Sequence, residues 1–492
     1  MADKYFPSLS DAKRYERDYR SVPVSRTILS DSRTPVEVLR ALKAVSRHCF
    51  ILESLEDATR WGRYTFLGYD PRLEFTCANG TVCIRSGTAM TIPNADPMSY
   101  IRQIIEENKS PRLEGLPPFT GGLMGYFAYE FIQYAEPSLK LDGTDEERFN
   151  DVDLMLFDKI IAFDHFRQTI TVIANARTDG LEENYRAACI ELDNMVELIR
   201  RGKPAENPPL ALKSDFVPLF SEAQYCDMVE KVRQHIREGD IFQAVLSNRL
   251  TAKAEGSLLD TYRLLRTRNP SPYMFYISSD QLEIAGSSPE TLVKLENGVL
   301  HTFPLAGTRP RGKTKEEDLA LEKDLLADPK ELAEHNMLVD LGRNDLGRLS
   351  KFGTVTVEQY MGVQRYSHVM HIGSTVRGEI RDDMDALDAV ACVLPAGTLS
   401  GAPKIRACEI INGLEQNRRG IYGGAVGYID FAGNMDTCIA IRLAFQKNGL
   451  VFVRSGAGIV ADSVPEKEYQ ECINKAAAVV NAVRESEGGI DG

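Results

Sequence analysis

Leu394-Pro-Ala-Gly-Thr-Leu-Ser-Gly-Ala-Pro-Lys404 runs directly into Ile405-Arg-Ala-Cys-Glu-Ile-Ile-Asn412. The first half is dense in glycine, proline and hydroxyl residues, so it reads as a loop. In the second half Ile405, Cys408 and Ile411 fall at helical spacing, and Pro403 suits a first helical position. A loop feeding a helix N-terminus offers free backbone N–H groups and a partial positive charge, which suits an anion. Thr398, Ser400 and Lys404 add two hydroxyls and a cation. A tight turn before an ordinary helix explains the same letters. The weight of the reading therefore comes from the other anion-handling pieces in this half of the chain.

The 492 residues carry a net charge of -13. That balance argues against wholesale nucleic-acid binding. An anionic substrate would need local cations or a metal to overcome it. No run of about 18 apolar residues is present, so no membrane span is expected. Met1-Ala-Asp-Lys-Tyr5 lacks the basic-then-apolar pattern of a signal peptide. The nine cysteines are dispersed without a Cys-x-x-Cys pair, which fits reduced thiols and a cytoplasmic location better than disulfides or zinc.

Gly202-Lys-Pro-Ala-Glu-Asn-Pro-Pro209 is the clearest linker and divides the chain into residues 1–205 and 214–490. In the first part, helices are expected at Pro35–Ser46 and Leu181–Arg201. Strands are expected at Cys49–Ser54, Trp61–Leu67 and Leu73–Ile84, the last turning at Asn79-Gly80. Leu154–Phe163 and Gln168–Ile173 read as a hairpin. In the second part, Ser221–Glu238, Asp328–Leu341 and Pro465–Arg484 read as helices, and Ser367–Arg377 as a strand. Gly424–Asp430, Ile439–Phe445 and Leu450–Arg454 read as a three-stranded meander. Strands in adjacent pairs with helices between them argue for α+β.

Two of these helices carry Glu-x-x-Glu: Glu331/Glu334 and Glu468/Glu471. Residues three apart share a helix face. If the two faces met, four carboxylates would repel unless a cation lay between them, and magnesium prefers such hard oxygen ligands. Solvated helix faces are the plain alternative. Asp328-Pro-Lys-Glu331 and Ser463-Val-Pro-Glu466 also read as capping boxes, which leaves Glu334 and Glu471 as the candidate ligands. Arg454-Ser-Gly-Ala-Gly-Ile-Val460 would let a ligand approach backbone N–H groups, though a bulge or turn is the simpler reading. Arg442, inside an apolar strand, must snorkel, pair or bind an anion. Lys475 lies four residues beyond Glu471 on one helix face. His371 ends a mostly apolar strand, where a satisfied core histidine and a general acid/base are both open. No nucleophile-elbow, P-loop or zinc-protease pattern is present, so covalent nucleophilic catalysis has no support.

Together these segments resemble the chorismate-utilising enzymes. The resemblance rests on Pro304-Leu-Ala-Gly-Thr308, Glu334-His-Asn-Met-Leu-Val-Asp-Leu-Gly-Arg-Asn-Asp345, His371-Ile-Gly-Ser374, Pro395–Lys404, Tyr422-Gly-Gly424, Gly456–Asp462 and Glu468–Lys475. Ile51-Leu-Glu-Ser54 and Gly121-Gly-Leu-Met-Gly-Tyr126 extend it into the first half. The resemblance implies two orthogonally packed sheets flanked by helices. It implies Mg²⁺ on Glu334 and Glu471, holding the ring carboxylate of chorismate. It implies substrate contacts from Gly307, Thr308, Tyr422, Arg442, Gly456, Ala457, Gly458 and Lys475, with His371, Thr398 and Glu290 near the reacting atoms. Gln243 stands where the isochorismate- and salicylate-forming branches carry a water-activating lysine. Ala306 stands where aminodeoxychorismate-forming enzymes often carry lysine. Both favour the anthranilate-forming branch, in which ammonia displaces the ring hydroxyl and pyruvate is eliminated. Aminodeoxychorismate formation or a catalytically silent regulatory paralogue are the alternatives. No glutaminase-like Cys/His/Glu set is visible, so the resemblance implies a glutamine amidotransferase partner in a heterotetramer. It further implies inhibition by tryptophan at a separate site matching Ser54, Pro272, Tyr273 and Met274. Strand ends packing the two halves together would explain the same residues.

Overall fold

The computed structural model describes residues 4–54, 62–365 and 369–490; Trp61 and Ser367, expected to begin two strands, lie outside that range. Two antiparallel sheets organise the chain, one of 13 strands and one of 12. The first runs Ser21–Leu29, Thr169–Arg177, Lys159–Asp164, Tyr64–Tyr69, Cys49–Glu53, Tyr273–Ser278, Leu282–Ser288, Leu443–Lys447, Leu450–Ile459 and Gln243–Glu255, with Ala211–Leu212 at its edge. The second runs Leu305–Pro310, Val369–Glu379, Val299–Thr302, Thr291–Glu296, Met435–Ile439, Ala425–Asp430, Gly122–Phe127, Val152–Phe157, Leu73–Ala78, Thr81–Ser86 and Thr88–Ile92.

Each sheet is built from both halves of the sequence. Cys49–Glu53 pairs with Tyr273–Ser278, and Gly122–Phe127 with Ala425–Asp430. Residues 202–209 carry neither helix nor strand. They nevertheless join parts of the same sheets, and one apolar cluster holds Val22 and Ala174 together with Leu265 and Val480. Residues 1–205 and 214–490 therefore share their cores.

An aromatic layer fills the space between the sheets. Phe50 of the first sheet meets Phe157 of the second with ring centroids 4.8 Å apart, and Phe119 stacks on Tyr428 at 4.1 Å. Helices cover the outer faces. Leu181–Arg201 packs on the first sheet; Pro97–Glu107, Pro329–Leu349 and Ala386–Val393 pack on the second.

Strands pass from one sheet to the other at four short breaks. Tyr64–Tyr69 hands over to Leu73–Ala78, and Val152–Phe157 to Lys159–Asp164. Leu282–Ser288 hands over to Thr291–Glu296, and Met435–Ile439 to Leu443–Lys447. Two apolar runs that read as single strands are thus divided. Leu154–Phe163 breaks at Asp158, and Ile439–Phe445 at residues 440–442. Asp158 leaves the ladder with its carbonyl accepting from both the backbone N–H and the side chain of Asn175. The turn at Asn79-Gly80 forms with both residues at positive φ, which is the hairpin geometry that Asn-Gly favours. Ser221 caps its helix and exchanges hydrogen bonds with Gln224. A helix at Lys315–Ala327 carries no clear apolar stripe in the sequence and was not expected; Thr314 starts it through a capping box with Glu317.

Gly125 fixes how closely the central strands approach. A Cβ there would lie 2.0 Å from the Asp153 carbonyl oxygen, which is backbone and cannot swing away. Gly125→Ala is expected to cost about 1–3 kcal/mol from overpacking, read as a lower midpoint in urea unfolding with an unchanged slope.

Candidate active site

Two of the four crossings open onto a cavity of about 1000 Å³. At one of them the chain turns through Pro289 and Glu290. The backbone N–H of Ile439 donates to the Glu290 carbonyl at 2.9 Å, and Thr398 Oγ1 donates to the Glu290 carboxylate at 3.2 Å. Burial pushes the Glu290 carboxyl up to about 7, against the opposing pull of the Thr398 hydrogen bond and the charges of Arg442 and Lys475. At the other crossing Arg442 sits at φ +51°, with its carbonyl accepting from Ser287 N at 3.0 Å. A left-handed residue is uncommon outside glycine. Here it turns the chain out of one sheet, so the guanidinium lines the cavity rather than lying within a strand.

His371 stands on Val369–Glu379. Its Nδ1 lies 2.8 Å from the Gly307 carbonyl oxygen and 3.1 Å from Thr308 Oγ1. A carbonyl only accepts, so Nδ1 carries the proton and Nε2 the lone pair. Burial lowers the His371 pKa and keeps the ring neutral. Gly307 adopts φ +67°, and a Cβ there would come within 3.1 Å of Glu331 Oε2, so the strand carrying Thr308 lies close to the acidic helix.

The two acidic helices do meet on this cavity. Pro329–Leu349 contributes Glu331 and Glu334, and Pro465–Glu485 contributes Glu468 and Glu471. Burial raises the Glu334 carboxyl, and the negative charges of Glu331 and Glu471 raise it further. Glu468 is raised by burial and by Glu471, with a hydrogen bond from Ser463 opposing. Among the described residues, no three of these four carboxylates approach within 4.8 Å of one another. An all-oxygen anionic donor set of this kind fits magnesium, which takes one or two carboxylates and keeps waters or substrate oxygens for the rest. Lys475 Nζ reaches Glu471 at 2.7 Å and the Gly456 carbonyl at 3.3 Å. Only part of the expected capping forms. Asp328 caps the first helix through Lys330 N and Glu331 N, while Glu331 accepts from Arg309 at 3.4 Å instead of returning the bond. The second helix is entered through Val464 with no side-chain cap, because Ser463 Oγ accepts from Val460 N.

Gln243, Gly307, Thr308, Tyr422, Gly456 and Gly458 also line the cavity. Arg454–Val460 is no loop, since Leu450–Ile459 remains paired with Gln243–Glu255 almost throughout. The glycines serve this pairing: a Cβ on Gly456 would lie 3.0 Å from the Tyr422 hydroxyl, and one on Gly458 2.6 Å from Gln243 Nε2. Ala457 does not line the cavity. Its side chain alternates to the opposite face and packs in a core cluster with Leu246, Ile411 and Ile459.

The opening stretch needs the larger correction. Lys404 does not face the cavity. Its ammonium donates to Asp345 at 3.2 Å and to the carbonyls of Cys392 and Val393 at 3.3 and 2.9 Å, tying down the end of Ala386–Val393. Ser400 donates to the Ala396 carbonyl at 2.8 Å. Pro403 caps the helix Lys404–Glu415 rather than entering it. Of the three polar candidates only Thr398 lines the cavity.

Several lining residues escaped the sequence reading. Lys330 and Lys467 each precede a glutamate of the acidic pairs, where alternating charge looks like solvated surface. Arg454 also lines the cavity and is buried. Its guanidinium donates to the Arg418 carbonyl at 2.8 Å and to Asn417 at 2.7 Å. Nearby Arg419 makes a buried pair with Glu415 at 2.6 Å and donates to the carbonyls of Leu399 and Val245, both on the cavity wall.

Ser54, Pro272, Tyr273 and Met274 form a separate group, none of them on this cavity. Glu53 pairs with Met274, which brings Ser54 alongside Tyr273. Ser54 Oγ is buried with no hydrogen-bond partner among the described residues. The Tyr273 hydroxyl joins Thr291 Oγ1 at 2.9 Å and Asp436 at 2.8 Å. Beside them Glu53, itself buried, holds Arg266 Nε at 2.6 Å.

The family model described as chorismate binding enzyme matches residues 47–481. Anthranilate synthase component 1 of Acetivibrio thermocellus is 44% identical over 492 residues, covering 98% of this chain and 99% of its own length. Its counterpart in Acinetobacter calcoaceticus is 45% identical over 490 residues, covering 96% and 97%. Among solved structures, anthranilate synthase component I from Streptococcus pneumoniae superposes with a TM-score of 0.76 at 39% identity, over 87% of this chain and 93% of that one. The menaquinone-specific isochorismate synthase of Escherichia coli, at 19% identity and a TM-score of 0.68, shares the fold. A match that spans most of the chain, with relatives aligned almost end to end, makes this chain a member of the chorismate binding enzymes.

Proposed function

We propose that this chain is the chorismate-converting component of an anthranilate synthase: ammonia displaces the ring hydroxyl of chorismate, and elimination of pyruvate then leaves anthranilate. The observation that carries the reading is one cavity that gathers two acidic helix faces, Arg442, Lys475, Thr308 and the Gly456–Gly458 strand. Near-full-length relatives that bear this name support it.

Chorismate is a dianion, and the acidic helices alone would repel it. Magnesium bound at Glu334 and Glu471 would neutralise the ring carboxylate and the charge that develops as the hydroxyl departs. Arg442 can grip the second carboxylate with two parallel N–H bonds, and Lys475 adds a point charge. Glu290, largely protonated below about pH 7, would give its proton to the departing hydroxyl. His371, neutral with its lone pair on Nε2, would take a ring proton in the elimination. Gln243 cannot activate water as a lysine would, and Ala306 cannot capture the ring covalently. Both leave ammonia as the nucleophile. A glutamine amidotransferase partner would supply it, and tryptophan at Ser54, Pro272, Tyr273 and Met274 would inhibit.

The isolated chain is expected to make anthranilate from chorismate, Mg²⁺ and ammonium, seen by its fluorescence, and to make none when glutamine replaces ammonium. Accumulation of aminodeoxychorismate instead would move the chain to the neighbouring branch. Glu334→Gln and Glu471→Gln should each lower Mg²⁺ affinity by about 10-fold or more, measured by titration calorimetry.

The pH dependence follows from Glu290. Its acid form is present below about 7 and is lost above it. The plot of kcat/KM for chorismate, which reports the free enzyme, should therefore descend through about pH 7. Glu290→Gln should flatten that limb while lowering kcat by about 100-fold or more.

Millimolar-order tryptophan should inhibit the wild type, and Ser54→Ala should weaken that inhibition without changing kcat in its absence. Equal inhibition of both proteins would remove Ser54 from the site.

A further inference from the structure

Behind Glu290 lies a second, smaller cavity of about 50 Å³. It shares Glu290, Thr398 and Leu338 with the large one and is otherwise walled by Thr291, Thr302, Leu341, Ala396 and their neighbours, with Asp345 among them. Glu290 and Thr398 therefore stand between two spaces, one large enough for a ring acid and one far too small. A volume of this size takes one water with room to spare, and a water stays ordered where it finds two to four polar partners. Glu290, Thr398 and Asp345 line it and offer such partners.

The groups facing this cavity are incompletely paired. Thr398 donates to one oxygen of Glu290, and Lys404 to one oxygen of Asp345; the other oxygen of each carboxyl has no hydrogen bond among the described residues. Asp345 is buried, and burial lifts its carboxyl against the pull of Lys404 and Arg348. Glu290 is half-buried, within electrostatic reach of Arg442 and Lys475. Asp345 and Lys404 belong to the two most distinctive stretches of the sequence, yet neither lines the substrate cavity.

We propose that the cavity behind Glu290 is a water site through which Asp345 and Lys404 return a proton to Glu290 in each turnover. This rests on the reading of Glu290 as the acid that protonates the departing hydroxyl. In that step the ring C–O bond breaks with its electron pair going to oxygen, and the Glu290 proton completes a water molecule. The carboxylate left behind takes a proton from the cavity water, and the Asp345–Lys404 pair restores that proton from its partly exposed side. The added ammonia gives up one proton to solvent as it becomes the ring amine, and solvent returns one to the Asp345–Lys404 pair, so protons balance over the cycle. Asp345 and Lys404 are positioning residues, since they act through the water and Glu290 and touch no substrate.

Asp345→Asn is expected to lower kcat by about 10-fold, raise the solvent deuterium isotope effect on kcat, and leave KM for chorismate within about twofold. Ala396→Val fills the same cavity without touching the ion pair, and should give the same kinetic signature with little change in melting temperature. A crystal structure of the wild type should show an ordered water bonded to both carboxyls. A dry cavity, or wild-type kcat and isotope effect in both variants, would overturn the relay. A wild type that makes no anthranilate would overturn the proposed function itself, and is separable because it concerns the unmodified chain.

Discussion

The constraint on which the rest depends is that single strands belong to both sheets. A strand leaving one sheet must break its ladder, turn within a few residues and enter the other, and its backbone groups there need partners outside the regular pairing. Residues 289–290 and 440–442 are two such places. The partners they find are each other's strands: Ile439 N bonds the Glu290 carbonyl, and Ser287 N the Arg442 carbonyl. One carboxyl group, Glu290, and one guanidinium, Arg442, are therefore fixed by the backbone geometry that closes the fold. Side chains on rigid crossings keep their positions better than side chains on mobile loops, which is what a site that must prepay orientation requires.

Electrostatics supply the second half of the argument. The chain is acidic overall, yet the site must accept an acidic ligand. Four glutamates line the cavity; burial shifts Glu334 and Glu468 upward, and repulsion from their acidic neighbours adds to the shift. Around them stand Lys330, Lys467, Lys475 and Arg442. Such a wall is poised between two charge states. A divalent cation held there would convert the carboxylates from a barrier into a grip, and the lysines and arginine on the same wall would add to the attraction for a dianion. Buried pairs behind the wall, such as Arg419–Glu415, have their remaining donors committed to main-chain carbonyls of Leu399 and Val245. Satisfied buried pairs of that kind fix geometry more than they add stability.

Much of this could be read from the sequence, and what could not has physical reasons. The acidic pairs were legible because a three-residue spacing puts both carboxylates on one helix face whatever the tertiary fold. The Asn79-Gly80 turn and the Ser221 cap were legible because each is decided within four residues. Arg442 lines the cavity, but it was expected inside a strand and lies at a break between two. An apolar run that changes sheet keeps the composition of one long strand, and nothing local marks the left-handed residue where it breaks. Ala457 was carried in by its glycine neighbours, although alternation along a strand sends its side chain to the other face. Lys404 and Ser400 were misplaced for the opposite reason. A hydroxyl or cation near a helix start suits an anion or a main-chain carbonyl equally well, and only packing decides between them.

Sharing strands between sheets also links distant parts of the molecule. Tyr273 begins the strand beside Ser54, and its hydroxyl reaches Thr291, the residue after Glu290. The same hydroxyl holds Asp436, on the strand that runs into the crossing at Arg442. A ligand seated against Ser54 and Tyr273 would therefore push on both crossings through two hydrogen bonds. It could shift activity only to the extent that it binds one arrangement of those bonds better than another. No separate device is needed for such coupling, because strands that close the fold already join the two places. A fold made of independent sheets would have to add a connection; here removing one would mean unmaking the core.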